Sequence, residues 1–220
     1  MTEASPKAHW MGMVPPHWNV KALKFCAELI SERVDGSTAG ESTYIGLEHI
    51  QGKTGRLVRT EGSQDSAEST VSCFRAGDVL FGKLRPYLAK AAAAESDGVC
   101  SSEILVYRPH TLTAAYLKHV MLLSGFIEEV TSSTYGSKMP RADAAFISRL
   151  AVPQPPVDEQ LAIASYLDVE TARIDGLTEA KRKLLDSLFE LKAVRITEIM
   201  TGAADHVVPT GDVWLPQIPQ

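Results

Sequence analysis

Three short polar segments carry side chains able to grip an anionic polymer. Lys53, Arg56 and Arg59 form the first, Lys83, Arg85 and Lys90 the second, and Tyr135, Ser137, Lys138 and Arg141 the third. Lysine and arginine neutralise phosphates, while arginine forks and side-chain amides match the donor and acceptor pattern of base edges. Gly52, Gly55, Gly82 and Gly136 stand beside these residues, where a missing Cβ lets backbone come close to a duplex. The segment 131–141 is the preferred groove or backbone contact, because it holds Lys138 and Arg141 and no acidic residue. Gln51 and Gln64 are candidate base readers. The plain alternative is that all of these are ordinary surface charges.

Catalytic chemistry finds less support. The chain has no GxGxxG, no GxxxxGK[ST], no HExxH and no nucleophile elbow. Cys100-Ser101-Ser102-Glu103 could hold a nucleophile, yet a cysteine leading into an apolar strand reads as core, and no histidine adjoins it in sequence. His9 and His17 lie close together and could hold a stray metal, but they read as ordinary surface histidines. Cys26, Cys73 and Cys100 match no zinc spacing and read as reduced thiols of a cytoplasmic protein. No cofactor and no metal are called for. The net charge of -5 supplies no bulk attraction to nucleic acid, so any such case is local. The N-terminal residues do not read as a signal peptide, and no apolar run is long enough to span a membrane.

The elements that must position these segments are mostly short strands. Residues 1–18 read as an N-terminal arm, with Trp10 and Trp18 as surface anchors around the turn-forming Val14-Pro15-Pro16. Residues 19–29 read as a strand or a short helix, and Ser31 to Ser42 as a loop. Strands are expected at Tyr44–Leu47, at Val79–Phe81 after a Gly77-Asp78 turn within the segment Val71–Leu84, and at Ile104–Tyr107. Leu112 to Val130 is an amphipathic helix with a break near Gly125. Ala142 to Leu150 is a short helix or strand, and Leu150–Pro153 a strand edge. Pro153, Pro155 and Pro156 then form a hinge.

Beyond that hinge the chain changes character. Asp158 is the candidate N-cap of a helix running to about Ile199, roughly 63 Å long at about 1.5 Å per residue. Ile163, Leu167, Ile174, Leu177, Leu184, Leu188 and Leu191 recur in steps of three, four or seven and make one apolar seam. Charged residues fill the other faces. One long seam needs a long partner, and nothing else in the chain offers one. The C-terminal Val213 to Gln220 repeats the pattern of His9 to Pro16, with a tryptophan followed four and five residues on by an aliphatic and a proline. This is what the start of a second tandem unit would show.

Three stretches carry a resemblance: Gly77 to Leu88 (GDVLFGKLRPYL), Gly98 to Ile104 (GVCSSEI), and Pro153 to Gln160 (PQPPVDEQ) followed by Ile163 to Asp168 (IASYLD). Together they resemble the DNA-specificity subunits of type I restriction-modification systems. Such subunits hold two target-recognition domains, each followed by a long helix, and the paired helices set the spacing of a split DNA target. The resemblance implies an α+β fold, with a mixed, mostly β target-recognition domain with packed helices at residues 1–155. A long coiled-coil-like spacer helix follows at 156–202, and 203–220 form an extended tail. It implies a subunit without catalysis of its own that binds one half-site of double-stranded DNA. Its expected partners are a methyltransferase (modification) subunit, a nuclease/translocase subunit, and itself or a second half-subunit through the long helix; no membrane is involved. Only one domain and one helix are present, so the chain is either a half-subunit or a chain ending just inside a second unit. Two other readings stand beside this one, a dimeric scaffold that does not bind DNA and an enzyme using Cys100.

Overall fold

The run Val79-Leu80-Phe81 is continuously apolar because the strand that carries it is buried on both faces. Successive side chains alternate sides. Val79 and Phe81 enter one core with Tyr107, Ala91, Leu117 and Phe126. Leu80 enters another with Val106, Ala92, Cys100 and Phe74. This strand, β6 (Val79–Gly82), is central to the domain. The structure is a computed structural model and describes residues 9–36, 43–58, 70–136, 138–201, 207–209 and 217–219.

Two four-stranded sheets sandwich the second core. The first has the order β2 (Ala27–Ile30), β9 (Ile104–Pro109), β6, β7 (Ala91–Ala93), all antiparallel. The second has the order β3 (Arg33–Asp35), β5 (Thr70–Phe74), β8 (Gly98–Ser101), β4 (Tyr44–Ile45), with β4 parallel to β8. Helices α1 (Ala114–Leu122) and α2 (Ser124–Ser132) cover the outer face of the first sheet, where Phe81 meets Phe126 edge-on at 6.1 Å. The expected α+β architecture is the observed one: mixed sheets packed with helices, then a long helix.

Several local expectations need correction. The polar stretch read as a loop from Ser31 contains β3, an edge strand whose side chains stay largely exposed, so no apolar alternation marks it. The break in the 112–130 helix falls at Leu123, whose backbone is extended (φ -61°, ψ 135°), and Gly125 lies inside α2. Gly125 serves a different purpose, since a Cβ there would stand 2.7 Å from Trp10 Cβ. That absence lets Trp10 lie against Phe126 at 5.7 Å as the expected anchor. The segment 142–150 resolves as α3 (Ala144–Arg149). His49, which carried no expectation, is buried, its Nδ1 accepting from Gly46 N at 2.9 Å. Within the tail, β11 (Val207–Pro209) and β12 (Gln217–Pro219) pair antiparallel; Trp214 lies outside the described residues.

The proline hinge is a built joint. β1 (Asn19–Ala22) pairs antiparallel with β10 (Ala151–Gln154), so the chain enters the domain beside the strand by which it leaves. Helix α4 then runs from Val157 to Thr201. Asp158 lies in its first turn and not at the cap, because Pro156 O already accepts from Gln160 N at 3.0 Å. The Gln160 side chain is 1 % exposed. Its Oε1 accepts from Thr113 N at 2.7 Å, and its Nε2 donates to Thr111 O at 3.2 Å and Pro155 O at 2.9 Å. Ala164 is buried one turn on. From the other side, Trp18 Nε1 donates to Glu159 Oε2 at 2.9 Å, and His17 Nε2 lies 2.9 Å from Glu159 Oε1. The chain divides into two compact units, Met1–Leu167 and Asp168–Gln220, so the opening turns of α4 belong to the first.

Replacing Gln160 with leucine keeps the volume and removes every one of these bonds. A buried group left unsatisfied costs roughly 1–3 kcal/mol, so Gln160→Leu is expected to lower the unfolding free energy of the domain by about 2–4 kcal/mol, measured by urea denaturation. The hydrogen bond from Trp18, and then that from His17, hold the Glu159 carboxyl below its usual value of 4.5. A depressed folded value means the contribution is present above the unfolded pKa and is lost as pH falls through the folded one. Tryptophan emission is therefore expected to shift in a step whose midpoint lies below 4.5, and Glu159→Gln should abolish that step.

Candidate nucleic-acid interface

Main-chain hydrogen bonds join the three cation-bearing segments into one ridge. Lys53 N donates to Ala89 O at 2.8 Å, tying the first segment to the second. Arg85 N donates to Pro140 O at 2.8 Å, and Ala142 N to Lys83 O at 2.9 Å, tying the second to the third. Tyr135 and Arg141 exchange backbone bonds of 3.2 and 3.0 Å, closing the third loop on itself. Residues separated widely in sequence thus become neighbours through groups that every residue possesses, which leaves no compositional trace.

The ridge concentrates backbone strain. Lys53 (φ 68°), Arg85 (φ 51°) and Ala89 (φ 49°) are left-handed, and they are the only non-glycine residues with positive φ among those described. Each such residue costs roughly 1–2 kcal/mol, and clusters of them favour functional sites. Arg85 and Ala89 bracket a 3-10 turn, Pro86–Leu88, closed by Leu88 N to Arg85 O at 2.9 Å and Ala89 N to Pro86 O at 2.8 Å. Pro86 is buried, while Tyr87 and Leu88 are 49 % and 39 % exposed. The loop 51–56 packs against this turn, and a Cβ on Gly52 would stand 2.4 Å from Leu88 O. Gly52 therefore allows two pieces of backbone to meet, rather than backbone and duplex as its position in the sequence suggested.

The expected contact residues divide into two groups. Arg141 forks onto Glu103, with Nε at 3.0 Å from Oε2 and Nη2 at 3.0 Å from Oε1. Those bonds hold its guanidinium charged, above its ordinary pKa. Lys90 donates to Leu47 O. These two side chains are engaged within the domain, as is Arg108, whose fork clasps the buried Asp78 at 2.9 and 2.8 Å. Lys53, Lys83, Arg85 and Lys138 make no ion pair among the described residues. Lys53, Arg56, Arg85, Tyr135 and Lys138 are exposed, as is Gln51. Lys83 is half-buried and lines a cleft of about 250 Å³ with Arg33, Tyr135 and Asp143. Arg59, Gln64 and Ser137 lie outside the described residues.

Sequence reasoning missed the apolar part of the ridge. Tyr87, Leu88 and Met139 are exposed among the cations, although Tyr87 and Leu88 stand in sequence like any residues following a proline. The available signal was a proline directly after a cation and before an aromatic, a combination that fits a displayed turn. Elsewhere, the first seam residue, Ile163, packs against the domain core, and Leu167 is half-buried. Ile174, Leu177, Leu184, Leu188 and Leu191 are between 50 % and 61 % exposed.

Cys100 is fully buried in the second core. Cys73 is pushed up first by desolvation and then by Glu32, which keeps it in the unreactive thiol form. Among the described residues no group of three or more His, Cys, Asp or Glu could hold a metal ion, and no helix is long and apolar enough to cross a membrane.

No protein-family model matches the chain. It is 24 % identical over 165 residues to the specificity subunit of the Escherichia coli type I restriction enzyme EcoDI, a match covering 74 % of this chain and 37 % of that protein. The fold is shared with the HsdS subunit from Thermoanaerobacter tengcongensis (TM-score 0.57, 24 % identity, 90 % of this chain and 52 % of that one). It is shared also with a chain from a structure of a type I R-M system (TM-score 0.59, 23 % identity, 91 % of this chain and 52 % of that one). The chain thus spans well under half of the curated relative and about half of each solved chain. It is similar in sequence to one type I specificity subunit and shares the fold of two chains from such systems.

Proposed function

We propose that the chain is a DNA-specificity subunit that reads one half-site of a bipartite target and directs a methyltransferase, and with it a nuclease, to that site. The observation that carries this reading is the ridge, where Lys53, Lys83, Arg85 and Lys138, without a carboxylate partner among the described residues, stand on three segments locked together by backbone bonds. An unpaired cation costs little in water and gains strongly on meeting a phosphate, because condensed counterions are released. Arginines of the same domain that serve structure are paired instead, Arg108 with Asp78 and Arg141 with Glu103. The relationship to specificity subunits supports the same assignment. Target-recognition domain, spacer helix and tail keep the bounds 1–155, 156–202 and 203–220 in this proposal.

The exposed seam from Ile174 to Leu191 supports a second element, pairing of α4 with another long helix, either of a second copy or of a second half-subunit. A seam of this kind would serve equally in a scaffold that never touches DNA. The ridge is what such a scaffold would not need.

Fluorescence anisotropy on duplex DNA across a salt series separates these readings. Lys53→Ala with Lys138→Ala is expected to lower the slope of log affinity against log salt by about two, at roughly 0.9 per phosphate contact, with thermal stability unchanged. Absence of DNA affinity in the unmutated chain, alone and with its methyltransferase, would leave the scaffold. Light scattering addresses the helix. The chain of 23.9 kDa is expected to reach twice that mass as concentration rises, and Leu177→Asp with Leu184→Asp should hold it monomeric. A strict monomer without substitution would instead reserve the seam for a different chain.

A further inference from the structure

Cations hold any duplex alike, because phosphates carry no sequence. Base edges are read by arginine forks and by side-chain amides, and an amide offers the donor and acceptor that match adenine N7 and N6. A residue shared among related specificity subunits cannot set one member's preference. A reader of this chain's own target therefore lies outside Gly77–Leu88, Gly98–Ile104, Pro153–Gln160 and Ile163–Asp168. The chain is poor in side-chain amides, with one asparagine and six glutamines. Asn19 and Gln154 are register partners in β1 and β10, and Gln160 is buried at the start of α4. Among the described residues only Gln51, which is exposed, brings a side-chain amide to the ridge.

The loop 51–56 that carries it is a closed hairpin tip. Ile50 and Leu57 form an antiparallel bridge beneath it, Val58 N donates to His49 O at 2.8 Å, and Gln51 N donates to Arg56 O at 2.9 Å. Fully buried Ile50 roots one limb in the second core. Three further contacts clamp the tip. Lys53 N is bonded to Ala89 O, Gly52 lies against Leu88 O, and a Cβ on left-handed Gly55 would stand 3.0 Å from the side chains of both Lys118 and Leu122. The main chain of Gln51 is spent within the loop, its O accepting from Thr54 Oγ1 at 3.4 Å. Its side-chain amide meets no partner among the described residues. An amide on a fixed base sweeps a small volume, which is what telling one base from another requires.

We infer that Gln51 is a specificity-determining residue, whose amide takes the N6 and N7 edge of an adenine in the major groove while Lys53 on the same loop holds a phosphate. This assignment rests on the DNA-binding reading above, and it separates two roles within the ridge. Lys53, Lys83, Arg85 and Lys138 supply affinity for any duplex, and Gln51 supplies preference at one base pair.

The test is selection from a library of short duplexes randomised through their core, using the full chain and its Gln51→Ala and Gln51→Arg variants. The position is exposed, and matching thermal midpoints would establish that the variants fold. The unmutated chain is expected to enrich a short motif with adenine at one fixed position. Gln51→Ala is expected to bind that motif about tenfold more weakly, the discrimination typical of one lost base contact, with the same salt slope and a pool degenerate at that position alone. Gln51→Arg should turn the preference there from adenine to guanine, whose O6 and N7 suit an arginine fork. Replacing that adenine by 7-deazaadenine removes N7 and should weaken the unmutated chain but not Gln51→Ala. Variants that select the unmutated motif with undiminished affinity would overturn the assignment while leaving DNA binding intact. A loss of affinity equal on every sequence would overturn it too, since Gln51 would then hold the backbone. Failure of the unmutated chain to bind any duplex, alone and with its methyltransferase subunit, would remove the DNA reading itself.

Discussion

Everything downstream of the domain depends on one buried amide. Gln160 stands at the first turn of α4 and meets the chain between β9 and α1 at Thr111 and Thr113, and its own approach segment at Pro155. The site asks for one acceptor facing an N–H and two donors facing carbonyls, and among side chains of this length only glutamine supplies both. A glutamate would offer acceptors alone, and a leucine nothing. The prolines around it cannot continue a helix or a sheet, so without the amide the helix start would be a loose joint. With it, and with Trp18 and His17 on Glu159, the opening of α4 is part of the domain. The sequence Pro-Pro-x-x-Glu-Gln is thus a physical device, with one residue bonded inward and its neighbour bonded to the entering chain.

That anchorage and the ridge answer opposite demands. The two cores give stability by burying apolar side chains on both faces of the first sheet, as β6 shows. The ridge draws on that stability, because left-handed Lys53, Arg85 and Ala89 would relax in a weaker setting. Buried Pro86 and Ala89 root it in the domain, and backbone hydrogen bonds to Ala89, Pro86, Pro140 and Lys83 hold it. Such bonds are insensitive to side-chain identity. A surface locked this way can exchange its side chains, and with them its preference, while the turn geometry persists.

How much of this was legible in the sequence follows from what each feature is made of. The long helix, the Gly77-Asp78 turn and the Val79–Phe81 and Ile104–Tyr107 strands rest on periodicity and punctuation, which are local, and they could be read. Strand β3 could not, because a polar edge strand has no apolar rhythm. The helix break near Gly125 could be read too, and it falls at Leu123, while Gly125 itself answers to Trp10, a residue more than a hundred positions away. In the site, the cation-bearing segments were visible by residue type. Which of them are available was not, since Arg141 meets Glu103 only in the fold and the pairing spans 38 positions. Ile163 belonged to the seam by spacing and to the domain by contact. Tyr87 escaped notice because its exposure is set by left-handed neighbours that no glycine announces.

The net charge of -5 therefore says little about the partner. Acidic groups satisfy structure at Asp78, Glu103 and Glu159, or lie along α4 at Glu170, Glu179 and Glu198 in short-range pairs with Arg173, Lys183 and Arg195. Such pairs remove charge of both signs equally. The whole of the -5 lies in residues 156–220, which hold 6 Lys and Arg against 11 Asp and Glu, and exposed charge there is screened beyond about one Debye length, roughly 8 Å at physiological salt. Lys53, Lys83, Arg85 and Lys138 on the ridge are not cancelled in this way, and a phosphate approaching it would meet them first. On the proposed function a single ridge would offer only a few contacts, so its affinity would be modest and strongly dependent on salt. Joining two such ridges through paired helices makes the second encounter intramolecular and raises its effective concentration. On the proposed function, an exposed apolar seam following a domain with a local cluster of cations is the arrangement this physics favours for a reader of split sites: the seam would supply the second ridge, and the length of helix between them would set how far apart the two half-sites stand.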